Sequence, residues 1–309
     1  MQSPARGNKT VFFLFLYMLI VPAVIAIALS AVGVDLEGLP LLAFGQVVGF
    51  FVPFVFYLLV TKQKPRDVLS LAPLSLGDAP LVALVSISIL PMVSLVSRLS
   101  AFVFHPFVMD MMVDFGQAPL WAGLLVIGVL PSLLEEFWFR GAIDKEYEAV
   151  SVRKRAIITG LFFGIIHANF HQAIYAFLFG ILYAYLLYYT KSILAPMLMH
   201  FINNSLSVVM FRSASLMEGY MELWENPGMF LLIIGGMSLA MLPVLVLCMR
   251  KLRANHALRF PAVAVPPEGE GIALVKPKVF TWAFWLVVVI FLIFAGGLEL
   301  ITRIGTLDA

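Results

Sequence analysis

Long apolar runs recur along this chain, and they decide what it can fold into. Nine stretches, at about 10–33, 41–61, 80–103, 118–139, 156–170, 172–189, 192–211, 228–249 and 280–302, are long enough or nearly so to cross a bilayer. Hydrocarbon offers the backbone no water to bond to, so a chain that crosses it many times does so as helices. The expectation is an all-α polytopic membrane protein with about nine spans. Composition agrees: 62% of the residues are hydrophobic and 12% charged, against about 45–50% and about 25% in soluble domains. A soluble enzyme, a disordered chain and a disulfide scaffold are excluded. The single cysteine, Cys248, sits in an apolar run and reads as packing. A net charge of +2 gives no case for nucleic acid. The first span follows Arg6 and Lys9, but it lacks a small-residue cleavage site and reads as an uncleaved anchor.

Lysine and arginine set the direction of the spans. With the N-terminus inside, 17 of the 20 basic residues fall on inner segments, and only Arg98, Arg212 and Arg303 fall outside. The outer loops carry Asp35, Glu37, Asp110, Asp114, Glu218, Glu222 and Glu225. The predicted topology is N-terminus in and C-terminus out. The chain then divides into spans one to three (1–117), a central group of spans four to seven (118–211), and an outer loop with span eight (212–249). An inner Pro/Gly-rich linker (250–279) and span nine with its tail (280–309) complete it. No internal repeat is visible, which counts against the inverted-repeat architecture of many transporters. The expected setting is the cytoplasmic membrane of a bacterium.

Ionisable side chains within a span cost about 2.5–3.5 kcal/mol on insertion scales, so each is a functional candidate. Span four ends with Glu135-Glu136-Phe-Trp-Phe-Arg140; span five carries Phe163-Gly-Ile-Ile-His167; span seven carries His200-Phe-Ile-Asn203-Asn204. Glu136 and Arg140 are four apart and share a helix face, so they can pair. Glu135 is rotated from Glu136 by about 100° and points elsewhere. One carboxylate is thereby neutralised and its neighbour left for chemistry. His200 and Asn204 face the same way, whereas Asn203 is expected to face away and serve as packing. His171 and Gln172 read as structural, and His105 and His256 as loop residues. By depth, the polar sites on spans four, five and seven converge in the inner half of the bilayer. Taken singly, a glutamate near a helix end can reach water and a lone histidine can bridge helices. The coincidence of all of them on neighbouring spans is what points to chemistry.

H-E-x-x-H, G-x-S-x-G, P-loop and G-x-G-x-x-G signatures are absent. The ordered trio Glu135-Glu136-x-x-x-Arg140, Phe163-x-x-x-His167 and His200-x-x-x-Asn204 instead resembles the three motifs of the CAAX protease and bacteriocin-processing family. These are intramembrane endopeptidases, also called type II CAAX prenyl endopeptidases or the Abi family. Ala176-Phe177-x-x-Gly180 and Thr190-Lys-Ser192-Ile-Leu-Ala-Pro196 also look typical of bacterial members, and the resemblance covers about 118–210.

The resemblance implies peptide-bond hydrolysis without a covalent intermediate. Glu135 would be the general base that activates a water, and His167 would orient it. His200 and Asn204 would donate to the oxyanion, and Glu136 and Arg140 would hold the site's geometry and charge balance. No cofactor is expected; the alternative is a zinc ion on Glu135, His167 and His200. Expected partners are membrane lipids and a peptide or lipidated protein substrate, which an inner-face cavity would suit. The other readings of the same polar groups are a non-catalytic membrane partner or immunity protein of this fold, and a transporter.

Overall fold

The computed structural model describes residues 3–107, 118–261 and 278–307, and among them it is a bundle of helices. In chain order these are α1 (Pro4–Ala31), α2 (Gly38–Thr61), α3 (Ala79–Ser100), α4 (Leu120–Ile143) and α5 (Val152–Ile165). They are followed by α6 (Phe170–Thr190), α7 (Leu194–Arg212), α8 (Ala214–Glu225), α9 (Pro227–Arg259) and α10 (Trp282–Leu307). Eight of the nine predicted spans are helices long and apolar enough to cross a membrane. The exception is the fifth: α5 has 14 residues, a length of about 21 Å.

Why α5 is short and tightly held is written in its glycines. Gly160 and Gly164 sit one turn apart, the first facing Gly180 and the second facing Ala173 on α6. A Cβ on Gly180 would lie 2.7 Å from the Gly160 Cα, and one on Gly164 would lie 2.5 Å from the Ala173 carbonyl oxygen. Small residues let the two backbones touch, which is how helices pack where lipid removes the hydrophobic drive. The polar sequence at 167–172 is the turn between them. Ala168 takes a left-handed conformation (φ 58°) and Asn169 caps α6, its side chain accepting from the Gln172 amide at 2.8 Å.

Ion pairs define one end of the bundle. Arg6 Nε donates to Glu146 Oε1 at 2.8 Å, Arg155 Nε to Asp144 Oδ1 at 2.7 Å, and Arg259 pairs with the buried Asp78. Lys145 donates to the Asp67 carbonyl, so the segments after α2 and α4, the starts of α1, α3 and α5 and the end of α9 all meet there. The turn between α6 and α7 docks on the same end: Ser192 Oγ donates to the Ala72 carbonyl at 2.5 Å and the Ile193 amide to the Ser70 carbonyl at 2.9 Å. At the opposite end, Arg98 Nε donates to the Trp224 carbonyl at 2.9 Å, and the His105 amide to Glu299 Oε2 at 3.1 Å. The N-terminal residue described, Ser3, bonds Glu146 at the basic end, while Arg303 near the C-terminus bonds the Val103 carbonyl at the other.

The outermost helices are tied in by buried polar groups. Asn8 Nδ2 donates to the Val279 carbonyl at 2.7 Å and to Thr281 Oγ1 at 2.9 Å, and its oxygen accepts from the Tyr147 hydroxyl. Burial pushes the Tyr147 phenol well up, so it stays a donor.

Two segments expected as loops are helical. Residues 214–225 form α8, whose Leu216, Tyr220, Leu223 and Trp224 share one side and Glu218, Glu222 and Glu225 the other. The basic stretch from Arg250 to Arg259 continues α9 rather than opening a linker, and His256 on it donates from Nδ1 to the Tyr189 carbonyl at 3.1 Å. The rest of the predicted linker, 262–277, and the acidic residues Asp110 and Asp114 lie outside the described residues.

Candidate active site

α4 carries the acid pair, and its backbone is not a regular α-helix there. The turns at Leu124–Val129 and Phe137–Ile143 widen to i→i+5 bonding, as does Val47–Phe51 of α2. Such wide turns concentrate at functional sites, because they re-aim side chains and free backbone groups. Pro131 adds to this: it has no N–H, so the carbonyl four residues earlier, Ile127, loses its helical donor. Asn204 Nδ2 takes that place from α7, donating to the Ile127 carbonyl at 2.8 Å.

The two glutamates separate as the 100° rotation requires. Glu136 is wholly buried behind the site. Its Oε2 lies 3.3 Å from Arg140 Nε, and its Oε1 accepts from His200 Nδ1 at 3.0 Å. Arg140, 1% exposed, donates from Nη2 to the Gly180 carbonyl at 3.1 Å and lies over the Phe163 and Tyr183 rings at 5.2 and 5.3 Å. Glu135 turns the other way. Its Oε1 accepts from Gln46 Nε2 of α2 at 3.1 Å, and its Oε2 is buried with no hydrogen bond.

Both histidines are oriented from behind. The Phe163 carbonyl only accepts, so His167 Nδ1, at 2.7 Å from it, carries the proton, and Nε2 is bare in the neutral ring. His200 is held by Glu136 at Nδ1 and stacked on Tyr183, ring centroids 5.3 Å apart, with the edge of Phe163 at 5.9 Å. Neither Nε2 is taken up by these contacts.

Glu135, His167, His200, Asn203 and Asn204 line one cavity of about 410 Å³, together with Gln46. That volume is within the range of small-molecule and peptide side-chain pockets. Of the six residues singled out by sequence, four line the cavity and two, Glu136 and Arg140, stand behind it. Depth along the helices agrees with the expectation for two of the three sites. Glu135 lies about 12 Å from the basic end of α4 and His200 about 9 Å from that of α7, while His167 is about 22 Å up from the start of α5.

The structure corrects several details. Asn203 does not face away: three residues from His200, it shares its side of α7, is buried, and lines the cavity. Its carboxamide lies against the Tyr183 hydroxyl, yet neither polar atom completes a hydrogen bond. Asn204 is engaged with Ile127 rather than with His200. His171 and Gln172 also line the cavity, His171 Nε2 bonding the Ser97 carbonyl at 3.1 Å. Gln46 was missed, although it is the one carboxamide in the long apolar run of α2. Among the described residues no three His, Cys, Asp or Glu side chains gather closely enough to hold a metal ion.

Comparison with known proteins bears on the same helices. No match to the chain was found among curated proteins or among solved structures. Residues 117–206 match the family model described as type II CAAX prenyl endopeptidase Rce1-like. The match runs from the start of α4 into α7 and contains all three motifs and the cavity's polar floor. Over α4 to α7 this integral multi-pass membrane protein is thus similar to the Rce1-like type II CAAX prenyl endopeptidases, a protease family.

Proposed function

We propose that the protein is an intramembrane endopeptidase that hydrolyses a peptide bond with a water activated by Glu135. The observation that carries this reading is the asymmetry of Glu135. Gln46 fixes one carboxylate oxygen, and the other has no partner in a cavity shared with His167 and His200. A carboxylate held in a mostly apolar cavity with one oxygen free is placed to accept a proton from water.

In this reading Glu135 takes a proton from a water whose other hydrogen is directed toward His167 Nε2. The hydroxide adds to the scissile carbonyl carbon. His200, protonated on both ring nitrogens for that step and braced by Glu136, donates from Nε2 to the oxyanion. The carboxamides of Asn204 and Asn203 stand on the same side of α7, the second with its N–H groups uncommitted. When the tetrahedral adduct collapses, the C–N bond breaks and the proton on Glu135 passes to the leaving amine. Glu136 and Arg140 keep the charge behind the histidine balanced. The substrate is a membrane-associated peptide or lipidated protein. The proposed setting is a bacterial cytoplasmic membrane, and the bias of basic residues to one end supports that end lying inside.

The test is hydrolysis of a fluorogenic farnesylated CAAX peptide by detergent-purified protein. Glu135→Ala is expected to remove about 10²–10⁴ of the rate and His200→Ala about 10²–10³, with both variants folded and a zinc chelator without effect. Wild-type rates in folded Glu135→Ala protein would refute the reading. Loss of activity with chelator would move Glu135, His167 and His200 into a metal site.

A further inference from the structure

The cavity is lopsided along the bundle axis. α4 and α6 both run toward the basic end, and they line it only as far as Glu135 and Tyr183. α7 runs away from that end and lines it only from His200 onward. α3 contributes from Leu90 to Ser97, and α2 contributes Leu42 and Gln46. Most of the lining therefore comes from the far half of each helix, with Glu135, Tyr183 and His200 marking its inner limit. Between the site and the basic end the bundle is filled by buried Phe139, Ile143, Leu186, Ile193 and Met199.

At the far end the rim includes Tyr220 and Trp224 of α8. This helix lies with its apolar side on the mouth and carries Glu218, Glu222 and Glu225 on the other. It is held at its last turn: Arg98 Nε donates to the Trp224 carbonyl at 2.9 Å, with the guanidinium 5.1 Å over the indole and 4.5 Å over Phe102. The Tyr220 hydroxyl lies against Ser94.

We infer that Glu135 is reached from the face opposite the basic end, beneath α8, and that the substrate is a polypeptide segment anchored in or emerging from the membrane on that face. The inference rests on the protease reading of the Glu135 site. It differs from the expectation of an inner-face cavity, because positive-inside orientation puts the basic end in the cytoplasm and the open end away from it. A cytoplasmic lipidated C-terminus would meet the filled end of the bundle, whereas a segment on the other face meets Tyr220, Trp224 and then the cavity.

The test is cysteine accessibility, which requires no activity. In a Cys248→Ala background, Ser207→Cys reports from the cavity wall, and Lys62→Cys reports from the basic end. Each is treated with a membrane-impermeant thiol reagent in spheroplasts and in inverted vesicles. Ser207→Cys should label in spheroplasts at least tenfold faster than in inverted vesicles, and Lys62→Cys the reverse. Labelling of both from the same side, or of Ser207→Cys from neither, overturns the inference. Adding the farnesylated peptide to sealed vesicles of each orientation separates the two ideas. Cleavage only where the far face is outside supports access from that face, and cleavage only in inverted vesicles overturns it. An inert Glu135 site with unchanged labelling refutes the protease reading alone.

Discussion

At the residue scale, the site depends on a buried relay in which Arg140 neutralises Glu136 and Glu136 orients His200. Arg140→Met leaves a carboxylate charge buried without its cation, and removing one member of a buried pair costs about 3–5 kcal/mol. Replacing both charges, as Glu136→Gln with Arg140→Met, keeps an acceptor for His200 Nδ1 and removes the stranded charge. Thermal unfolding in detergent should therefore show the double variant more stable than Arg140→Met alone, and equal or lower stability would contradict the relay. Gln46 acts through Glu135. A hydrogen bond to a charged group is worth about 1.5–3 kcal/mol, so Gln46→Leu is expected to lower kcat about 10–100-fold. KM and melting temperature should change little, and a KM effect alone would instead make Gln46 a substrate contact. The division of labour between Glu135 and Glu136 was legible in the sequence, because it follows from rotation along one helix. Gln46 was not, because its meeting with Glu135 depends on how α2 packs against α4, and no spacing rule reaches across two helices.

At the element scale, two backbone features hold the motifs in place. The first is the α5–α6 contact. Gly164→Ala would put a methyl 2.5 Å from the Ala173 carbonyl, a backbone atom that cannot swing aside. Overpacking of this kind costs about 1–3 kcal/mol. Gly236→Ala on α9 meets nothing within 4 Å and should be neutral or slightly stabilising, since glycine in a helix costs about 0.5–1 kcal/mol. Equal unfolding midpoints for the two variants would show that the helices give way. The second feature is Pro131, whose missing N–H leaves the Ile127 carbonyl to Asn204. Pro131→Ala restores the helical donor and competes with Asn204, so peptide hydrolysis is expected to fall while the melting temperature holds or rises. Length and apolarity made the eight long helices legible. They misjudged α5, placed at 156–170, because a helix buried among others needs no full apolar run. They passed over α8 and the last three turns of α9 because an interfacial or protruding helix is not apolar all round.

At the scale of the whole molecule, the short helix decides where the termini lie. Counting long apolar helices alone gives eight, an even number, which would put both ends of the chain on one face. The structure gives another answer. α5 starts at the basic end, where Arg155 meets Asp144, and α6 returns to that end at Thr190, so the pair changes nothing in the alternation. The remaining seven long helices alternate strictly, from Ser3 beside Glu146 at the basic end to Arg303 beside Val103 at the other. The charge bias read from the sequence fits this arrangement, since a wrong number of crossings would scatter the basic residues over both ends. A fluorescent reporter that matures only in the cytoplasm should therefore glow when joined at residue 1 and stay dark when joined at residue 309. A phosphatase active only outside should show the converse. Fluorescence at both ends would mean that one long helix does not cross, and because α8 and the cavity mouth lie between α7 and α9, it would also reopen which face the substrate comes from.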